Sequence, residues 1–274
     1  MNSTVSQSLL TTEDTSPVTV INPGGASSFL LIGDHAGKVV PARLGSLGLS
    51  DADLSRHIGW DIGIGELGTL LAERLDAVFV RQTYSRLVID CNRSPDQTDV
   101  IAAVSDGTVV PGNAALNEDD RAARFAEIHE PYHAAINAEL VRRDALDIPT
   151  VVIALHSFTP MMSGPLREQA RPWQIGILHD GGDTLFAHAL LAELRMEADL
   201  TVGDNEPYRM DLIDFTIPRH AYPARAYAEI EIRQDLLAST EGCKGWADRL
   251  ARILPAAHER MVAIKAEPRD RFPA

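Results

Sequence analysis

Val151-Val152-Ile153-Ala154-Leu155, led in by Pro149-Thr150 and followed at once by His156, decides the fold of this chain. An unbroken apolar run of strand length, bounded by turn residues, suits a strand buried on both faces, as parallel sheets require. Phe29-Leu30-Leu31-Ile32 reads the same way and ends at Gly33-Asp34-His35. Shorter strands are expected at Ala77-Val78-Phe79-Val80, Leu87-Val88-Ile89-Asp90, Trp173 to Leu178 and Leu200-Thr201-Val202. Ala226 to Ile232 alternates apolar and acidic residues, which predicts a strand with one polar face.

Between these runs the period changes to that of a helix. Ile58, Ile62, Ile64, Leu67, Leu70, Leu71 and Leu75 fall on one helical stripe, with Asp61 in the first turn. Asn117 and Asp120 mark the start of a helix that runs to about Arg143 and is interrupted at Pro131, which lacks a backbone donor. Thr184 to Glu197 and Trp246 to Lys265 are the remaining helices. Such alternation predicts a three-layer α/β fold, a mostly parallel, mixed central sheet with helices on both faces. Residues 1–26 read as a loosely ordered lead-in, and 27–274 as a single domain. The polar stretch from Ser94 to Gly112 reads as a functional loop.

Composition narrows the partners. The chain has 39 acidic against 25 basic residues, a net charge of −14, so neither nucleic acid nor an anionic membrane is an expected partner. A few arginines gathered in one pocket could still reverse the local field for a small anionic substrate. No apolar run approaches the length of a membrane span, and the start of the sequence lacks secretory features, so a cytoplasmic location is expected. Cys91 and Cys243 are too few for a disulfide framework, and Cys91 sits in an apolar run as a small buried residue would. A homo-oligomer stays open.

In open α/β sheets, ligands bind beyond the carboxyl ends of strands. Two strands here end in histidine, FLLIGDHAG and VVIALHSF. A catalytic zinc site takes three protein ligands and keeps one position open, and Asp61 is the natural third ligand beside His35 and His156. Glu66, one turn on, and His57, one turn before, are alternatives for that position, with His57 better suited to orienting a ligand. Hydrolysis also needs a proton carrier. Glu229 and Glu231 share one strand face and are both candidates. His129 and His133, at i and i+4, could bind a metal, but Pro131 between them favours a structural role.

The string YSRLVIDCNR, with DHAG before it and HSFTP after it, resembles the N-formylglutamate amidohydrolase family. HIGWDIG, SDGTVVPGN, IHEPYH, GDNEPYR and EIEIRQDLL extend the likeness over roughly residues 28 to 255. The resemblance implies a phosphorylase/hydrolase-like fold and one zinc ion held by His35, Asp61 and His156. It implies hydrolysis of a small N-acyl amino acid, N-formyl-L-glutamate foremost, and a place in amino-acid breakdown. Glu231 matches the catalytic glutamate of related zinc amidases. The carboxypeptidase-like relatives keep a glutamate three residues after the first histidine, where this chain has Lys38. Arg86, Asn92 and Arg93 match a segment that binds substrate carboxylate and carbonyl in the acylase branch, and Arg171 is a further candidate, as the planar guanidinium fork suits a carboxylate. Asn205, Tyr208 and Arg233 are weaker candidates for substrate contact. The same scaffold could serve another N-acyl amino acid or a peptidoglycan fragment. A non-catalytic binding protein would be expected to have lost one of the four site residues.

Overall fold

The computed structural model describes residues 8–162, 169–210 and 214–267. In chain order the first half contains β1 (Val18–Ile21), β2 (Phe29–Gly33), α1 (Asp51–Leu54), α2 (Ile64–Leu75) and β3 (Val78–Gln82). A small hairpin of β4 (Val104–Ser105) and β5 (Thr108–Val109) precedes α3 (Glu118–Arg124) and α4 (Glu130–Ala145). The second half contains β6 (Val151–Phe158), a ribbon of β7 (Met161–Met162) and β8 (Gln169–Ala170), β9 (Ile175–Leu178), α5 (Leu185–Leu194) and β10 (Val202–Asp204). It ends with α6 (Thr216–Ala221), β11 (Ala226–Arg233) and α7 (Thr240–Ala266).

Seven strands form the central sheet in the order β1-β3-β2-β6-β11-β9-β10. The four middle strands β3, β2, β6 and β11 run parallel, while β1 joins β3, and β9 joins β11, antiparallel. The sheet is therefore mostly parallel and mixed, as expected. Alternation along each strand divides the core in two. Leu31, Ile153, Leu155 and Ile230 pack with residues of α2, α5 and α7 on one face. Leu30, Ile32, Val152, Ala154 and Tyr227 pack with residues of α4 and α6 on the other. That second face holds the candidate site residues of both strands, because His156 follows Ala154, and Glu229 and Glu231 follow Tyr227, at the strand period.

Several expectations are corrected. Residues 18–21, inside the expected lead-in, form the edge strand β1, while 1–7 lie outside the described residues. The helix expected from Ile58 begins only at Ile64, because Gly63 adopts φ +84° at its cap, and a side chain there would collide with Leu237. Asp61 thus stands in the connecting turn, its N–H donating to His35 O at 2.9 Å. Leu87–Asp90 is buried but not a strand: its apolar character reflects burial alone, and Arg124 and Asn113 side chains satisfy the carbonyls of Val88 and Leu87. The polar face of β11 is not solvated, since Glu229 and Glu231 are buried between β6 and β9. β6 runs two residues past His156.

Asn117 caps α3 by accepting from Asp120 N–H, and a π-helical turn at Phe125–His129 absorbs the donor missing at Pro131 before α4 begins. Arg143, near the end of α4, is fully buried and donates to Ser27 O, Phe29 O and the Glu139 carboxylate. It thereby fixes the entry to β2, the strand that delivers His35. Arg143→Met should cost roughly 3 kcal/mol, because it strands buried carbonyls and a buried carboxylate. Denaturant unfolding with an unchanged m-value would report it.

Candidate active site

His35, Asp61 and His156 meet at the carboxyl ends of β2 and β6, with candidate ligand atoms all within 4.8 Å of one another. Asp61 Oδ2 lies 3.6 Å from His35 Nδ1 and 3.0 Å from His156 Nδ1. Each imidazole turns its other nitrogen to a further carboxylate. His35 Nε2 donates to Asp90 Oδ1 at 2.6 Å, and His156 Nε2 lies 3.3 Å from Asp34 Oδ2, without hydrogen-bond alignment. Asp34 is held in turn by Thr216 Oγ1 at 2.8 Å. Carboxylates behind metal-binding histidines orient the ring and raise its basicity. The sequence reading missed Asp34 and Asp90, although one adjoins His35 and the other lies inside YSRLVIDCNR.

The electrostatics fit a cation. Burial and Arg86 oppose charge on His35, yet Asp90 and Asp61 outweigh them and raise its pKa. Burial likewise opposes charge on His156, but Glu229, Asp34 and Asp61 push it well above the usual histidine range. Burial alone would raise Asp61, and the two histidines instead hold its carboxyl far below. Five carboxyl groups, Asp34, Asp61, Asp90, Glu229 and Glu231, thus crowd two imidazoles in a buried space, and His35 Nδ1 has no hydrogen-bond partner there. Two nitrogens and a carboxylate oxygen are the donor set of an open zinc site.

A cavity of about 190 Å³ opens over this cluster, smaller than drug-sized sites. Arg86, Asn92, Arg93, Phe158, Thr159 and Tyr208 line it together with the cluster and both glutamates. A second cavity of about 220 Å³ adjoins it, and Arg86 and Arg93 belong to both walls. Arg86 donates to Asp90 Oδ2 at 2.6 Å and lies 3.5 Å from Asp61. Arg93 reaches Asp99 at the rim. Asn92 spends its carbonyl on the Phe215 and Thr216 amides at the start of α6, which leaves its NH₂ for other partners.

Glu231 stands in register with His156 and Glu229 with Ala154. Burial pushes the Glu231 carboxyl up to about 7, against the pull of His156. Burial and the nearby Asp214 raise Glu229 well above the carboxylate range. Glu66 is exposed on α2, and His57 lines the cavity but pairs with Asp106 at 3.3 Å. Arg171 lies behind Tyr208 rather than on the cavity wall, and Arg233 pairs with Asp235. Asn205 accepts from His179 N–H outside the cavity. His133 Nε2 donates to Cys91 O, so its Nδ1 accepts from His220 Nε2, and burial holds these rings down at about 3 and about 4. They are neutral struts between α4 and α6, the structural role expected of His133.

The model of the N-formylglutamate amidohydrolase family matches residues 27–238. The chain belongs to this family. N-formylglutamate amidohydrolases act on a small molecule, and the lining of the cavity draws on six of the strings that carry the resemblance. The gene product Atu2144 from Agrobacterium tumefaciens is 35% identical, covers 93% of this chain and 99% of its own, and superposes with a TM-score of 0.87. N-formylglutamate amidohydrolase from Ralstonia eutropha JMP134 is 19% identical over 92% of this chain and 99% of its own, with a TM-score of 0.59, a likeness of fold alone. No curated protein matches the chain. Among the described residues of this amidohydrolase, no helix is long and apolar enough to cross a membrane.

Proposed function

We propose that this chain, as one catalytic domain from residue 27 onward, is a zinc-dependent amidohydrolase that cleaves a small N-acyl amino acid. N-formyl-L-glutamate, giving formate and L-glutamate, is the first candidate. The observation that carries this reading is the convergence of the buried His35–Asp61–His156 cluster, Glu231 and Arg86 on one small cavity.

His35 Nδ1, Asp61 Oδ2 and His156 Nδ1 would hold the ion, with Asp90 and Asp34 fixing the two rings from behind. When bound, a divalent ion supplies Lewis-acid polarisation of the acyl carbonyl and makes the attacking water more acidic. Glu231 takes a proton from that water and delivers it to the leaving nitrogen as the C–N bond breaks, yielding carboxylic acid and free amine. Burial and acidic neighbours raise Glu229 well above the carboxylate range, whereas the Glu231 carboxyl is held at about 7, which favours Glu231 over it as the base. Arg86 and Arg93 pair with the substrate carboxylate across the wall between the two cavities, and the Asn92 NH₂ is a further donor.

Formate release from N-formylglutamate, set beside N-formylaspartate and acetate release from N-acetylglutamate, tests the reading. N-formylglutamate should give the highest kcat/KM, and Arg86→Met should lower it mainly through KM, by about 10²-fold, as a charged hydrogen-bonded contact is lost. Turnover of only another N-acyl amino acid would keep the chemistry and reassign the substrate. No turnover of any of them by metal-loaded protein would overturn the reading.

A further inference from the structure

Tyr208 lines the main cavity, and its phenol oxygen lies 3.0 Å from Arg171 Nη1. Arg171 is only 8% exposed. Its guanidinium lies 4.9 Å from the Tyr208 ring centre and 5.8 Å from that of Phe158, and it also donates to Thr159 Oγ1 at 3.0 Å. A residue so enclosed has no freedom to reach a substrate, and its effect passes through what it holds.

The direction of the hydrogen bond decides what Tyr208 can do. A guanidinium has five donors and no acceptor, so the phenol oxygen must accept from Arg171. The phenol O–H proton is then left without an acceptor among the described residues. Arg171 also draws electron density toward the oxygen it touches, which strengthens the O–H as a donor. Burial and the Glu231 carboxylate raise the Tyr208 pKa, so the group stays protonated at neutral pH. Tyr208 shares the wall of the cavity with Glu231, Asp61 and Arg86.

We propose that Tyr208 is a catalytic hydrogen-bond donor to the acyl oxygen of the scissile amide, with Arg171 as the positioning residue that aims its O–H. The inference rests on the amidohydrolase reading above. No proton is transferred in this step. The O–H···O contact shortens as negative charge grows on the acyl oxygen, and the interaction is therefore worth more in the transition state than in the ground state.

Steady-state kinetics of zinc-loaded Tyr208→Phe on the N-acyl amino acid that the unaltered enzyme hydrolyses test the proposal. The phenylalanine ring keeps the stack against Arg171, so the fold is retained. The expected result is a fall in kcat of about 10²-fold with KM changed by less than about threefold. Arg171→Met should lower kcat about tenfold by itself, and most of that loss should disappear in the Tyr208→Phe background, where the phenol through which it chiefly acts is gone. An unchanged kcat in Tyr208→Phe, a change confined to KM, or an undiminished Arg171→Met effect in the double variant would overturn the proposal. If Arg171→Met does not fold, the kcat–KM split of Tyr208→Phe decides alone. An inactive unaltered enzyme would instead show that the parent reading fails.

Discussion

Glu231→Gln should reduce kcat by about 10³-fold while leaving metal content unchanged, since the amide fills the same space but cannot accept and return a proton. Formate release together with elemental analysis of the purified variant checks both halves. The pH profile gives a second handle. A base works only when deprotonated, so activity rises as pH climbs through the Glu231 value of about 7. A dication bound nearby favours the carboxylate and lowers that value, so the acidic limb of the holoenzyme lies at or below about 7. The linked stability effect has the opposite sense. A folded-state pKa raised above the unfolded one gives stability that is complete below the unfolded value and lost as pH rises through the folded one. Metal-free Glu231→Gln should accordingly be more stable than the parent at pH 8 and equal to it near pH 4. Equal activity in Glu231→Gln and the parent would remove Glu231 from the chemistry.

His156→Ala carries the other large effect. Removing the imidazole leaves Asp61 and Asp34 facing each other across a buried gap with one of the two candidate nitrogen ligands gone. Zinc retained after dialysis against a chelator should fall to background, and kcat/KM should drop by at least about 10³-fold. Asp90→Asn provides the graded comparison: its carbonyl can still accept from His35 Nε2, so only about 10- to 100-fold should be lost. Full zinc and full activity in His156→Ala would show that the metal, if bound, sits elsewhere.

The parts of this architecture that were legible in the sequence are those where one pattern has one cause. VVIAL and FLLI are apolar throughout because both sheet faces are covered, and the histidines that follow these runs lie at the edge where the candidate site stands. Where two causes give one pattern, the reading went astray. Leu87-Val88-Ile89 is apolar through burial in a turn, and the strand inferred there hid Asp90, which sits behind His35. Glycine at 63 broke a helical stripe that hydrophobic spacing alone would continue back to Ile58, and so moved Asp61 off the helix. β1 escaped notice because an edge strand of four partly exposed residues has little periodicity. Arg171 was picked out for its chemistry, but sequence cannot tell a guanidinium that faces a cavity from one that stacks behind its wall.

β11 is hydrogen-bonded on both sides, parallel to β6 and antiparallel to β9, along the stretch that carries Glu229 and Glu231. A glutamate mounted there cannot drift without breaking two ladders at once, so the proposed proton carrier Glu231 and His156 form a stiff anvil. Two other residues of the cavity wall stand on different ground: Thr159 follows the end of β6, and Tyr208 follows a short turn after β10. Laboratory evolution toward bulkier acyl groups should therefore collect its successful changes around Thr159 and in the turn that precedes Tyr208, leaving β11 and the Tyr208 phenol untouched.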